Sequence, residues 1–453
     1  MSYAPNTKTD RERMLRAVGL DSVNDLFEDI PRAYRDPAID LPEALPEVDV
    51  LRELRGLAQR NATSDDFASF LGAGFYRHFV PALVDQLLLR SEWYTAYTPY
   101  QAEMSQGTLQ AMYEFQSLVC RLTGMEVANA SMYDGASALA EAVLMCRAIT
   151  QRPRVVMAGT VHPAYREVAA TYTQALPIDI HTIRGWSCSS KGLVPDLNSV
   201  ADAIDESTSC VVIQRPDFLG WVVDPSPVLK AADHHGAKVV YVVTDPISLG
   251  LLKPPGDLGA DVVAAELRSL VAGPGFGGPG AGVLATRRDF IRRLPGRIAG
   301  RTVDADGQQG FVLTLQTREQ HIRRERATSN ITTNQALVAL GAAISLSALG
   351  PAGIQALATQ CVSSAHRCAE ALRVVGAEVW DSAPYFHEFI VRTRGRAANA
   401  IEALAEHGVF GGYDLARLDP DLSGALLVCA TELTTDKDLS SLTTAWESIN
   451  SGS

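Results

Sequence analysis

The sequence predicts an α/β fold, in which a large and mainly parallel sheet is covered by helices and followed by a smaller α+β C-terminal domain. Three observations carry this reading. Six short runs, "RVVMAG", "IDIHTI", "SCVVIQ", "KVVYVVT", "ADVVAA" and "AGVLATR", are mostly continuous in valine, isoleucine and alanine, the pattern of strands buried on both faces. Segments of helical period precede and separate them, which is the alternation of a helix-covered parallel sheet. Beyond "ATSNITTNQ" the pattern changes to a long alanine- and leucine-rich helix and then a strand pair around "EFIVRT" and "ALLVCATE". The expected division is an N-terminal arm over 1–60, a large α/β domain over 61–325 and a small α+β domain over 326–453.

In chain order, the first sixty or so residues are charged and punctuated by proline, as expected of an arm with short helices. "SQGTLQAMYEFQSLVCRLTG" has apolar residues three and four apart, opens at Ser105 as an N-cap and closes at Gly124, so it is read as a helix. Its apolar face and that of the arm are expected in a subunit interface. "DGASALAEAVLMCRAIT" is read as a second helix starting at Asp134 and Gly135. The six strand runs follow, separated by helical pattern.

Composition bounds the function. The chain has 453 residues, 47% hydrophobic and 20% charged, enough for one large core and a second smaller one. A formal charge of −12 argues against nucleic-acid binding, which needs a basic face. The seven cysteines are odd in number, widely spaced and mostly inside apolar runs, which reads as buried thiols in a reducing cytoplasm. The opening "MSYAPNTKTDRERML" has no signal-type apolar core, and no later run of about 20 uncharged apolar residues is expected to span a bilayer.

Several constellations could carry chemistry. In "NASMYDGASALAEA", Asp134, Gly135 and Ser137 open a helix whose free N–H groups and positive dipole end suit a phosphate, although such caps are also common without a ligand. "GTVHPAYREV" places His162 at the carboxyl end of a buried strand, where an imidazole could stack on a ring; a loop histidine is more often structural. "VVYVVTDPISLG" ends a buried strand in Asp245, which could pair with a protonated pyridine nitrogen or simply cap the next turn. The order of helix start, histidine, strand-end aspartate and glycine-rich loop is similar to that of pyridoxal-phosphate enzymes of the aspartate-aminotransferase type, fold type I. Such enzymes carry a Schiff-base lysine on the loop after the next strand. Here that loop is "ELRSLVAGPGFGGPG", and none of the six lysines falls between Lys253 and Lys437.

Longer motifs narrow the resemblance. "FLGAGFYRHFVP", "EWYTAYTPYQAEMSQGTLQAMYEFQ", "LTGMEVANASMYDGASALAEA", "TDPISLGLLKPPGDLGAD" and "REQHIRRERATSNITTNQAL" make essentially the whole chain resemble the P-protein family of the glycine cleavage system, and within it the α subunit (subunit 1) of the two-chain forms. The resemblance implies a division of labour. A β subunit (subunit 2) would hold pyridoxal phosphate covalently, and this chain, with Ser269 near the lysine position, would complete its partner's site. It further implies glycine decarboxylation, transfer of the aminomethyl group to lipoylated H-protein, a heterotetramer of two α and two β chains, and a cytoplasmic location. Asp134, Gly135, Ser137, His162 and Asp245 would then form a vestigial coenzyme pocket with no metal.

The resemblance places "WYTAYTPYQAEMSQG" beside the active site at the subunit interface, so Tyr94 and Tyr97 are candidate catalytic contributors, with Trp93, Tyr100 and Gln101 nearby. The bland alternative is core aromatics beneath the helix. Arg318, Arg323, Arg324 and Arg326 could clamp an anion across the interface or form a solvated face. Two departures stand out: "AAELRSLVAG" replaces the family's glycine-rich "GEGQSLG", keeping Glu266, Ser269 and Leu270, and Thr332 stands where a cysteine is usual. A diverged non-catalytic scaffold or regulatory homologue is the main alternative, and a self-contained lyase or transferase a weaker one.

Overall fold

The computed structural model describes residues 5–35, 37–189, 192–331 and 333–451. They form two compact units, one up to Ala62 and one from Thr63 onward. In the first, Thr7 and Asp10 make a reciprocal capping box at the start of helix Lys8–Ala17, and a second helix spans Glu47–Ala58. Neither helix contains a buried residue.

The second unit is built on a seven-stranded sheet. Its strands are β1 (Val127–Ala128), β2 (Arg154–Ala158), β3 (Asp179–Ile183), β4 (Thr208–Gln214), β5 (Lys238–Val243), β6 (Val262–Glu266) and β7 (Gly282–Thr286). The spatial order is β1-β7-β6-β5-β4-β2-β3, with β7 antiparallel to both neighbours and the other pairings parallel. All six strand runs of the sequence are present. Every residue of β4, β6 and β7 is buried, whereas β3, at the edge, is largely open. The unbroken valine runs thus lie where helices cover both faces, each buried valine contributing roughly 1.5–3 kcal/mol.

Helix Gln106–Thr123 ends at Gly124, whose φ of 70° is the left-handed C-cap that the sequence indicated. Its apolar face does not await a partner. Leu109 and Met112 pack with Ala130, Ala299 and Phe311, and the Gln116 amide exchanges two hydrogen bonds with the backbone of Ala299, at 3.1 and 2.8 Å. The expected interface role of that face is therefore corrected: it is core within the chain.

A second correction concerns the long apolar run. Residues 336–364 carry no charged side chain, and helix Ala336–Val374 is by length and composition apolar enough to cross a membrane. The helix is broken where Gly350 takes a φ of 59° ahead of Pro351. Ala339, Ala342 and Leu346 join the core around the large sheet, while Ala365, Cys368 and Leu372 join the core of the C-terminal sheet. The run is apolar because it passes through two cores.

The C-terminal sheet comprises β8 (Glu378–Trp380), β9 (Glu388–Arg392), β10 (Tyr413–Asp414) and β11 (Ala425–Cys429), all antiparallel in the order β8-β9-β11-β10. Residues far upstream join this region: Ala68–Ser69 pairs in parallel with Val409–Phe410, and Phe70 is fully buried among its side chains. The segment 68–79 is thereby drawn across the end of the large sheet.

One buried carboxyl makes the fold sensitive to pH. Glu141, in helix Gly135–Thr150, is pushed up by burial to about 7, against a smaller opposing bond from Ser329. A raised acid is protonated in the fold and ionised in the unfolded chain, so stability falls as pH rises from the ordinary value of 4.5 through about 7. Glu141→Gln, permanently neutral, is expected to raise the thermal midpoint at about pH 8 and to leave it nearly unchanged at about pH 5. Equal shifts at both would refute the buried proton.

Candidate functional site

Helix Gly135–Thr150 begins where the sequence placed it. Asp134 is the N-cap, and its carboxylate accepts from both the backbone N–H and the hydroxyl of Ser137 at 2.7 Å. The N–H of Gly135 points at the carboxylate of Glu266, with N–Oε2 at 3.1 Å. The other oxygen of Glu266 accepts from the N–H groups of Leu267, Arg268 and Ala281 at 3.1, 2.9 and 2.8 Å. The anion that the positive end of this helix favours is already part of the chain. A Cβ on Gly135 would meet the Tyr165 hydroxyl at 2.4 Å, so this ring fills the space above the helix start.

His162 lies past the carboxyl end of β2 and is buried. Its Nε2–H donates to the carbonyl of Ala73 at 2.8 Å and its Nδ1 accepts from the N–H of Ala164 at 3.2 Å. Burial lowers its pKa to about 4, so the ring is neutral. Tyr165 packs on it at 4.9 Å and Phe218 edge-on at 5.0 Å. Gly74, at a φ of +92°, has its Cα so close that a Cβ would lie 2.5 Å from His162 Nε2. The ring is held by protein on each of these sides.

Asp245, at the carboxyl end of β5, is similarly engaged. One oxygen accepts from Nε2 of His78 and of His387 at 3.2 and 2.9 Å; the other accepts from the Ser269 hydroxyl at 2.9 Å and the Ile247 N–H at 3.2 Å. Burial pushes this carboxyl up, but the facing His78 and His387 outweigh it and hold it well below the ordinary range. Ser269, on the turn after β6, thus binds the aspartate that in a coenzyme pocket would face the pyridine nitrogen. Asp134, Gly135 and Ser137 stand at a helix start, His162 past the end of β2 and Asp245 at the end of β5. Each is bonded within the chain, and the residues present do not fit pyridoxal phosphate.

The tyrosine segment is elsewhere. Tyr94 and Tyr97 line a cavity of about 200 Å³ together with Trp93, Met112, Arg297 and Asn334. Tyr94 is 56% exposed and Tyr97 90% exposed, so neither is a core aromatic beneath the helix. Tyr100 is exposed and lies under the Arg297 guanidinium, 5.8 Å from the ring centroid, and Gln101 is exposed. Of the four candidate arginines, Arg318 is buried and donates to the carbonyls of Leu294 and Gly296, holding a turn; Arg323, Arg324 and Arg326 are exposed. Thr332 lies outside the described residues.

Sequence reasoning missed His78, His387 and Glu432 and the anchoring part of Glu266. The histidine of "FYRHFVP" was visible, but its partners come from residues 167 and more positions away. Only the pairing of segment 68–79 with the C-terminal region brings them together.

Strand order and the strand-end positions of His162, Asp245 and Ser269 define a chain with the fold of type I pyridoxal-phosphate enzymes. Solved structures with 13–17% sequence identity, among them a NifS-like protein and a sphingosine-1-phosphate lyase from Burkholderia pseudomallei, share this fold at TM-scores of 0.63 and 0.62. The chain belongs to the glycine cleavage system P-protein family, whose model matches residues 1–446. It is 49% identical to a probable glycine dehydrogenase (decarboxylating) subunit 1 of Thermomicrobium roseum, over 98% of this chain and 99% of that one. It is 47% identical to that of Caulobacter vibrioides, over 97% of each. A crystal structure of glycine decarboxylase (P-protein) in inhibitor-bound form, 43% identical, superposes with a TM-score of 0.88 over 99% of this chain and 100% of that one.

Proposed function

We propose that this chain is the α subunit of a two-chain glycine dehydrogenase of the glycine cleavage system and that it contributes surface and side chains to a lysine-bearing β subunit's site. In that complex pyridoxal phosphate supplies the electron sink for glycine decarboxylation, and the aminomethyl carbon passes to lipoylated H-protein. The observation that carries this reading is the closed pocket: Glu266 stands at the helix start, and Asp245 is bonded by His78, His387 and Ser269. Tyr94 and Tyr97, exposed around a cavity, are the side chains this chain offers outward. A heterotetramer of two α and two β chains in the cytoplasm is the assembly we infer.

The test is expression of this chain alone and with a candidate β subunit. Exchange of the glycine carboxyl with bicarbonate, in the presence of H-protein, should require both chains. Borohydride reduction with pyridoxal phosphate should label a lysine of the partner and none of this chain. Exchange by this chain alone, or stoichiometric labelling of one of its lysines, would overturn the proposal. Co-purification without any exchange would favour the scaffold alternative.

A further inference from the structure

The buried cluster beside Asp245 extends away from the closed pocket and ends in three side chains of metal-ligand type. His78 turns Nε2 to Asp245 and Nδ1 to Glu432, 2.8 Å from its Oε2. Cys361, from helix Ala336–Val374, lies with its sulfur 3.2 Å from the same oxygen and 4.0 Å from His78 Nδ1. The three donor atoms lie within 4.8 Å of one another. The side chains of His78 and Glu432 are 0% and 5% exposed, and Cys361 is fully buried.

We propose that His78 Nδ1, Cys361 Sγ and Glu432 Oε2 form a binding site for a divalent transition-metal ion, with Zn²⁺ the best match. Donors at the usual zinc bond lengths of about 2.0–2.3 Å in a tetrahedron stand roughly 3.3–3.7 Å apart. The observed 2.8, 3.2 and 4.0 Å bracket that spacing, so small side-chain shifts admit the ion. One imidazole, one thiolate and one carboxylate suit a borderline-soft ion. Their two negative charges neutralise a dication, which so buried a position requires. Binding releases two protons to solvent, that of the Cys361 thiol and that of His78 Nδ1, and leaves His78 protonated on Nε2 alone.

The surroundings are those of a metal site rather than of an incidental contact. The Nε2–H of His78 donates to a carboxylate, the carboxylate–histidine–metal arrangement that fixes ring orientation and raises ligand basicity. Asp245 is in turn held by His387, Ser269 and the Ile247 N–H. Glu432 keeps its other oxygen on the N–H of Phe79 at 2.7 Å, so its ligand oxygen is aimed before any ion arrives. The ion would join three distant segments: the stretch around His78, the long helix and the turn after β11.

The experiment uses the full-length chain, stripped with a chelator and titrated with Co²⁺ and Zn²⁺. One equivalent of Co²⁺ should produce thiolate charge-transfer absorption and the visible bands of a four-coordinate ion, and Zn²⁺ should displace it and raise the thermal midpoint. Cys361→Ser should abolish the charge-transfer band, and Asp245→Asn should weaken binding about 10- to 100-fold. Should Cys361→Ser fail to fold by circular dichroism, Glu432→Gln serves in its place and should likewise lose the ion. The absence of a charge-transfer band in the folded wild-type chain would overturn the proposal. So would a band that survives Cys361→Ser and disappears with substitution of the exposed Cys188, which would mark adventitious binding.

Discussion

Replacing Glu266 with alanine is expected to cost the chain about 4 kcal/mol or more of stability, far beyond a typical single substitution. The reason is arithmetic of donors. The buried carboxylate accepts from the N–H groups of Gly135, Leu267, Arg268 and Ala281, and alanine leaves all four without an acceptor. Each buried orphan costs roughly 1–3 kcal/mol, part of which an entering water can recover. Glu266→Gln keeps one acceptor oxygen and should lie between the two. The measurement is the shift in urea midpoint. A loss below about 1 kcal/mol for the alanine variant would show that the carboxylate does not organise this end of the sheet.

In the assembled two-chain enzyme, Tyr97→Phe is expected to lower glycine turnover about ten- to a thousand-fold, the range of one lost catalytic hydrogen bond or proton donor. The Tyr97 hydroxyl has no hydrogen-bond partner among the described residues, and the residue is 90% exposed. It therefore contributes little to holding this chain together. Tyr97→Ala in the isolated chain should accordingly leave the thermal midpoint almost unchanged, unlike truncation of a core aromatic, which costs about 3–5 kcal/mol. Tyr94→Phe is measured beside it, with association of the two chains followed by gel filtration. Full turnover in both Phe variants would remove the catalytic role and leave these rings as contact surface.

What the sequence disclosed was local. Six of the seven strands of the large sheet, the cap at Asp134 and the stop at Gly124 follow from the period of apolar residues and the chemistry of helix ends, which a short window contains. Long-range partnerships were invisible. Nothing in "FLGAGFYRHFVP" says that Ala68–Ser69 pairs with Val409–Phe410, and without that pairing His78 has no route to Asp245 and Glu432. The part played by Glu266 was hidden for a related reason, since one of its donors, the Gly135 N–H, lies more than a hundred residues upstream, and the Ala281 N–H comes from the neighbouring strand region. The tyrosines illustrate a limit of residue type: aromatic spacing before a helix fits a core and an exposed face equally well, and only the fold places Tyr97 outside.

On the proposed function, the bonds that Asp245 and Glu266 make within the chain also change what this chain depends on in a cell. A protein that binds a coenzyme gains stability by mass action in proportion to how far the free coenzyme exceeds its dissociation constant, and it loses that gain when the vitamin is scarce. A chain whose own glutamate, histidines and serine occupy the coenzyme's contacts has no such linkage. Under that proposal its folded population does not follow the supply of coenzyme, and nutritional scarcity would reach the two-chain enzyme through the partner.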